Sequence, residues 1–156
     1  MSTSALRRAD EPEFLARLRE LLGDDGLIHE GDDLRYYGSD RCKGGWPVMP
    51  GAIALPRTSE QVQAIARLCS SERVAIVPSG GRTGLTGAAT AIAGELVVSL
   101  ERMSRILEID VPGRRLRCEA GATLQAVHDA AASTWPGSRS CSRTASCSRS
   151  TASWSR

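Results

Sequence analysis

Phe14, Leu15, Leu18, Leu21 and Leu22 recur at three- and four-residue spacing between arginines and glutamates, and Gly23 follows where helices commonly stop. This spacing predicts an amphipathic N-terminal helix. Across residues 24–51 the pattern is lost in favour of Gly, Asp and Pro, with Tyr36, Tyr37 and Trp46 as the few large anchors. An irregular arm draped over another part of the molecule is expected there. Ala52, Ile53, Ala54 and Leu55 then form a short apolar run ended by Pro56. Thr58 or Ser59 is placed to cap a helix in which Val62, Ile65, Ala66 and Cys69 share one face. Residues 74–77 read as a second buried strand. Strand, helix and strand in so short a span make a right-handed crossover between parallel strands lying side by side or nearly so.

Further along, ELVVSL (95–100) reads as a strand, and residues 106–110 as another that runs into a Pro112-Gly113 turn. Residues 116–120 return as its hairpin partner. After Gly121 and Ala122, Thr123 is a good N-cap for a helix with Leu124, Val127, Ala130 and Ala131 on one face, which breaks off near Ala132. The fold class is α/β (α+β), a mixed sheet with flanking helices. Three segments are expected: a helix and arm over 1–50, an α/β domain over 51–132, and a tail over 133–156. The tail is Ser, Arg, Thr and Cys with Trp135 and Trp154 but no Leu, Ile or Val, a composition that predicts disorder. The broken helix before it suggests a frameshifted terminus. A nucleic-acid role through Arg139, Arg143, Arg149 and Arg156 is the weaker reading of that segment.

Composition narrows the function classes. The chain has 156 residues, 41% hydrophobic and 24% charged, which suits one soluble globular domain. Its formal net charge is +2, and aromatics make up 4%, so no basic face interleaved with aromatics points to nucleic acid. Cys42, Cys69, Cys118, Cys141 and Cys147 form no C-x-x-C pair, His29 and His128 lack partners at metal-ligand spacing, and no metal is expected. No window suggests a signal peptide or membrane span, so a cytoplasmic protein with reduced thiols is expected.

The chemistry concentrates in PSGGRTGLTG (78–87), directly after an apolar strand. Glycines that take positive φ turn successive N–H groups toward one point, an anion nest, and their missing Cβ atoms admit a bulky diphosphate. Ser79 and Thr83 add hydroxyls, and Arg82 adds a charge. A Walker loop would end in Lys and Ser or Thr, and G-x-G-x-x-G spacing is broken, so neither of those sites fits.

VAIVPSGGRTGLTGAA, GELVVSLERMSRILEID and CEAGATL, in that order, resemble the FAD-binding domain of the p-cresol methylhydroxylase (PCMH) and vanillyl-alcohol oxidase superfamily. The resemblance is to its branch of D-2-hydroxyacid dehydrogenases, which includes glycolate oxidase, D-lactate dehydrogenase and D-2-hydroxyglutarate dehydrogenase. It runs from about Asp32 to Ala132, with ALPRTSEQVQAIARLC as entry strand and helix. It implies a PCMH-type fold in which the main chain at Ser79, Gly80, Gly81, Arg82, Thr83 and Gly84 binds the FAD pyrophosphate. Pro78, Leu85 and Gly87 lie beside the cofactor. Gly121 is either a cofactor wall or a plain turn glycine, and Met103 either a core residue or part of the flavin face.

Departures qualify what the resemblance implies. Some relatives carry His at the position of Arg82 and join it to the flavin, so FAD is expected here as a non-covalent cofactor. Others carry Arg at the position of Ser79 and Gly or Asn at that of Arg82. Beyond Ala132 the family continues with further FAD wall and a substrate domain that this sequence lacks. The 2-hydroxy acid is therefore expected to bind only in a complete enzyme, and this chain to be inactive alone. The alternative is a non-catalytic flavin-binding subunit that pairs with a separate substrate-domain chain.

Overall fold

The computed structural model describes residues 6–42 and 44–134; the tail expected to be disordered lies, apart from Ser133 and Thr134, outside the described residues. Pro12 sits in the first turn of α1 (Pro12–Leu22), where its missing N–H is harmless, and Gly23 ends the helix at φ 74° with its N–H on the Arg19 carbonyl. Phe14, Leu18 and Leu22 face inward, as their spacing predicts, whereas Leu21, read in the same pattern, is exposed.

The arm is not irregular throughout, contrary to the expectation from composition. A 3₁₀ turn (Asp24–Gly26) leads into β1 (Leu27–Ile28), and α2 (Asp33–Tyr37) follows. β1 pairs antiparallel with β2 (Ala52–Ala54), which ties the arm to the sheet.

α3 (Ser59–Glu72) starts at Thr58, whose side-chain oxygen accepts from the Gln61 N–H, and ends at Arg73 in the left-handed region. Ile65, Leu68 and Cys69 are its buried residues; Ala66, expected on that face, is exposed. The inner stripe runs one step further round the helix than the small alanine suggested. Burial pushes the Cys69 thiol pKa up to about 11.

β3 (Ile76–Ser79) and β4 (Leu96–Ser99) complete a sheet of order β1-β2-β4-β3, with β2, β4 and β3 parallel. β4 therefore lies between the two strands of the crossover. β3 is an edge strand lying two residues later than the buried strand read over 74–77, and only Val74 just before it and Ser79 at its end are buried in that stretch.

Alternation along the parallel strands divides the core between two faces. Ala52, Ala54, Leu96 and Val98 meet Phe14, Leu18, Leu22, Ile65, Leu68 and Cys69 from α1 and α3. Ile53, Leu55 and Val97 face the other way, against Ala91 and the partly buried Leu34 and Tyr37 of α2. Glu72 at the end of α3 accepts from both Arg7 and Arg17, fastening the N-terminal segment over the first face.

The hairpin of β5 (Ile106–Asp110) and β6 (Arg115–Cys118) forms its own two-stranded sheet, with a register shift between Ile106 and Glu108. Asp110 caps its turn by accepting from the Gly113 N–H at 2.9 Å. α4 (Leu124–Thr134) begins at Thr123, whose hydroxyl accepts from the Ala126 N–H, and it continues past Ala132, where the sequence pattern breaks off. No described helix is long and apolar enough to cross a membrane.

Candidate functional site

Three parallel strands end on the same side of the sheet, and there the chain leaves β3 at Gly80. The Leu100 N–H donates to the Ser79 carbonyl at 3.0 Å, which closes the ladder at that level. Beyond it, residues 80–83, the turn after β4 and the start of α4 enclose a cleft of ≈ 720 Å³. Carboxyl ends of parallel strands are the usual ligand-binding edge of such sheets.

One wall of the cleft is Gly80, Gly81, Arg82 and Thr83; the opposite wall is Gly121, Ala122, Thr123 and Leu124. Among the described residues, a Cβ added at Gly80 or Gly81 would meet no atom within 4 Å, and neither glycine has φ in the left-handed region. Neither packing nor backbone conformation therefore requires glycine there. Their bare main chain lies against open space, which suits a bulky anion approaching the N–H groups. Among the described residues, the N–H groups of Gly81, Arg82 and Thr83 donate to no internal acceptor. Across the cleft the first turn of α4 adds the positive end of a helix dipole.

The positive φ expected of these glycines falls instead on Arg82, at 53°, and on Gly87, at 79°. Gly87 is required by its conformation and by Trp46, since a Cβ would lie 2.5 Å from the Trp46 ring. Gly121 is required by packing: its N–H donates to the Met103 carbonyl at 2.8 Å, and a Cβ would strike Leu100. It is a tightly packed turn glycine and also lines the cleft. Met103 is buried.

Arg82 does not offer a free charge, as the sequence suggested. Its side chain is 13% exposed, with the guanidinium 4.6 Å from the Tyr36 ring centroid, 4.8 Å from that of Tyr37, and 3.8 Å from Glu101 Oε2. The Tyr37 hydroxyl donates to Glu101 Oε1 at 2.6 Å, and this bond, with partial burial, pushes the phenol pKa up to about 12.

Ser79 is also displaced from its expected role. It is buried, in register with the equally buried Ser99, and among the described residues both hydroxyl oxygens lack a partner. Pro78, Gly84, Leu85 and Gly87 do not line the cleft. The Gly84 carbonyl accepts from the Arg41 N–H at 3.1 Å, while Leu85 is exposed.

Asp40 anchors the far end of this loop. Its Oδ1 accepts from the Cys42 N–H at 2.8 Å and the Thr90 hydroxyl at 3.2 Å, and the Cys42 bond chiefly holds the carboxyl below the usual range. The arm from Tyr36 to Trp46 is thus what drapes over the glycine loop. Asp40, Glu101 and the tyrosine pair were missed as site residues because their partners lie far away in sequence. Among the described residues no group of three or more His, Cys, Asp or Glu is placed to hold a metal.

Comparison with known proteins agrees with this geometry. The sequence profile of the FAD binding domain family matches residues 50–149. D-2-hydroxyglutarate dehydrogenase of Xanthomonas citri pv. viticola is 50% identical over 105 residues, covering 67% of this chain and 22% of that protein. Its counterpart in Stutzerimonas stutzeri is 42% identical over 111 residues, covering 71% and 24%. Glycolate oxidase subunit GlcD of Escherichia coli is 31% identical over 128 residues, covering 82% and 26%. The chain thus spans about a quarter of the length of these relatives. Among solved structures, p-cresol methylhydroxylase with substrate bound superposes with a TM-score of 0.71 at 25% identity, over 83% of this chain and 26% of that one. Alkyldihydroxyacetonephosphate synthase, at 18% identity and the same TM-score, shares the fold. With the mixed sheet, the bare glycine wall and the family profile in agreement, the chain belongs to the FAD-binding domain family, with a PCMH-type fold.

Proposed function

We propose that this chain supplies the pyrophosphate-binding part of the FAD site in a flavin-dependent oxidoreductase of 2-hydroxy acids of the D-2-hydroxyglutarate, D-lactate or glycolate type. The observation that carries the reading is the wall at Gly80 and Gly81, which the fold leaves bare although it has no conformational need of glycine there. The residues present suit the group. Among the described residues, the N–H groups of Gly81, Arg82 and Thr83 have no internal acceptor in a wall of the same cleft that the start of α4 lines, and Glu101, already bonded to Tyr37 and close to Arg82, is the one carboxylate lining it.

Bound FAD supplies the hydride acceptor for oxidation at the α-carbon of the hydroxy acid. The chain's own part is to bind and orient: main-chain N–H groups of residues 80–83 hold the phosphates, and the first turn of α4 adds its dipole. Attachment through the position of Arg82 is non-covalent, since a guanidinium is no nucleophile. Substrate contacts are assigned to residues beyond this chain, in a continuation of the protein or a separate subunit.

Titration of the purified chain with FAD, followed by quenching of flavin fluorescence, tests the reading. Saturable one-to-one binding is expected, and no binding would refute it. The loaded chain is expected not to bleach on adding D-2-hydroxyglutarate, D-lactate or glycolate; bleaching would overturn its assignment as inactive alone.

A further inference from the structure

We propose that Tyr37 and Glu101 are positioning residues for the glycine loop: they hold the Arg82 guanidinium and, through it, the left-handed turn that presents the N–H groups of residues 80–83 to the cleft. The ligand in this proposal rests on the FAD reading; the geometry does not.

Arg82 has a side chain and φ 53°, a conformation that costs a non-glycine residue roughly 1 kcal/mol and persists only when its surroundings enforce it. Two separate elements supply the enforcement. α2 brings both tyrosine rings within 5 Å of the guanidinium, with the rings themselves edge to face at 85°. The turn after β4 brings Glu101, whose two carboxylate oxygens are divided between Arg82 and the Tyr37 hydroxyl. Arg82 Nη1 also lies 3.5 Å from the Gly80 carbonyl, so the same side chain reaches back to the loop's first residue.

The arrangement answers a second problem. Glu101 lines the cleft, where a bare carboxylate would repel a phosphate. Pairing with Arg82 and a phenol offsets its charge. Arg82 therefore contributes by fixing the main chain and screening a carboxylate, while the anion meets N–H groups.

The test is a cycle on the full chain with a variant that alters no charge. Tyr37→Leu keeps an apolar side chain at the core but removes one of the two ring contacts and the phenol. It is expected to weaken FAD binding about tenfold and to lower the NMR order parameters of residues 80–83, measured without FAD, from about 0.85 to below about 0.6. Glu101→Gln is expected to lower the same order parameters. In an Arg82→Gly background, where glycine takes this φ unaided and no guanidinium remains to be held, Tyr37→Leu is expected to leave the order parameters unchanged.

Unchanged order parameters in Tyr37→Leu, or an equal effect of Tyr37→Leu on them in both backgrounds, would overturn the proposal. The order parameters separate it from the FAD reading: if the unaltered chain bound no FAD while the loop loosened as expected, the positioning role would stand and the cofactor assignment would fall.

Discussion

Gly121 and Leu100 meet main chain to main chain, so closely that a Cβ on Gly121 would sit 1.8 Å from the Leu100 carbonyl oxygen. This contact seats the hairpin and α4 against the end of β4, and no flexible side chain is there to yield. Gly121→Ala is expected to destabilise the fold by about 3 kcal/mol, read as a lower denaturant midpoint. A midpoint equal to that of the unaltered chain would contradict the contact.

Gly80 and Gly81 should behave in the opposite way. Alanine at either meets nothing and forces no left-handed φ. Stability should be unchanged or rise by about 0.5 kcal/mol, because the unfolded chain loses freedom. FAD affinity should nevertheless fall at least about tenfold, roughly 1.4 kcal/mol. Calorimetric titration beside unfolding curves separates the two effects, and unchanged affinity would remove both residues from the site.

Leu18 reports whether the N-terminal helix belongs to the core. It is fully buried with Phe14, Ile65 and the inner residues of β2 and β4. Leu18→Ala is expected to cost about 3 kcal/mol by chemical denaturation, through lost burial and the cavity left behind. A cost near zero would mean that α1 is a detachable ornament.

Tyr37 should give the alkaline limb of stability a recognisable slope. Its phenol titrates at about 12 in the fold against an ordinary 10.0, so the folded state binds the proton more tightly than the unfolded one. The stabilisation is complete below the ordinary value and is lost as pH rises from 10.0 through about 12. Glu101→Gln, which replaces the charged acceptor, should return Tyr37 toward 10 and flatten that slope. Tyrosinate absorbance against pH checks the titration directly.

Much of the architecture was legible because periodicity is local. The inward residues of α1, the strand at Ala52, the capped helix after Thr58 and the hairpin at Pro112 and Gly113 all carry their signal within a few neighbours. α2 was hidden, since five residues with two tyrosines show no period. The stripe of α3 was drawn through Ala66 and not Leu68 because two faces of a helix that differ by one step share most of their members. In the site, the glycines were legible as a group but not as individuals. Whether each serves space, φ or packing is decided by Trp46 for Gly87 and Leu100 for Gly121, and nothing near Gly80 or Gly81 decides for them. The engagement of Arg82 was equally out of view, because the bond that organises it joins Tyr37 to Glu101 across 64 residues.

The place of β4 between β2 and β3 also governs the order in which the protein can come into being. When residues 52–79 have been synthesised, β2 has only the two residues of β1 beside it and β3 has no strand partner. Both wait for residues 96–99. The glycine loop is made before the strand that completes its base, so a nascent chain reaches its anion-binding shape only once β4 slides between its older neighbours.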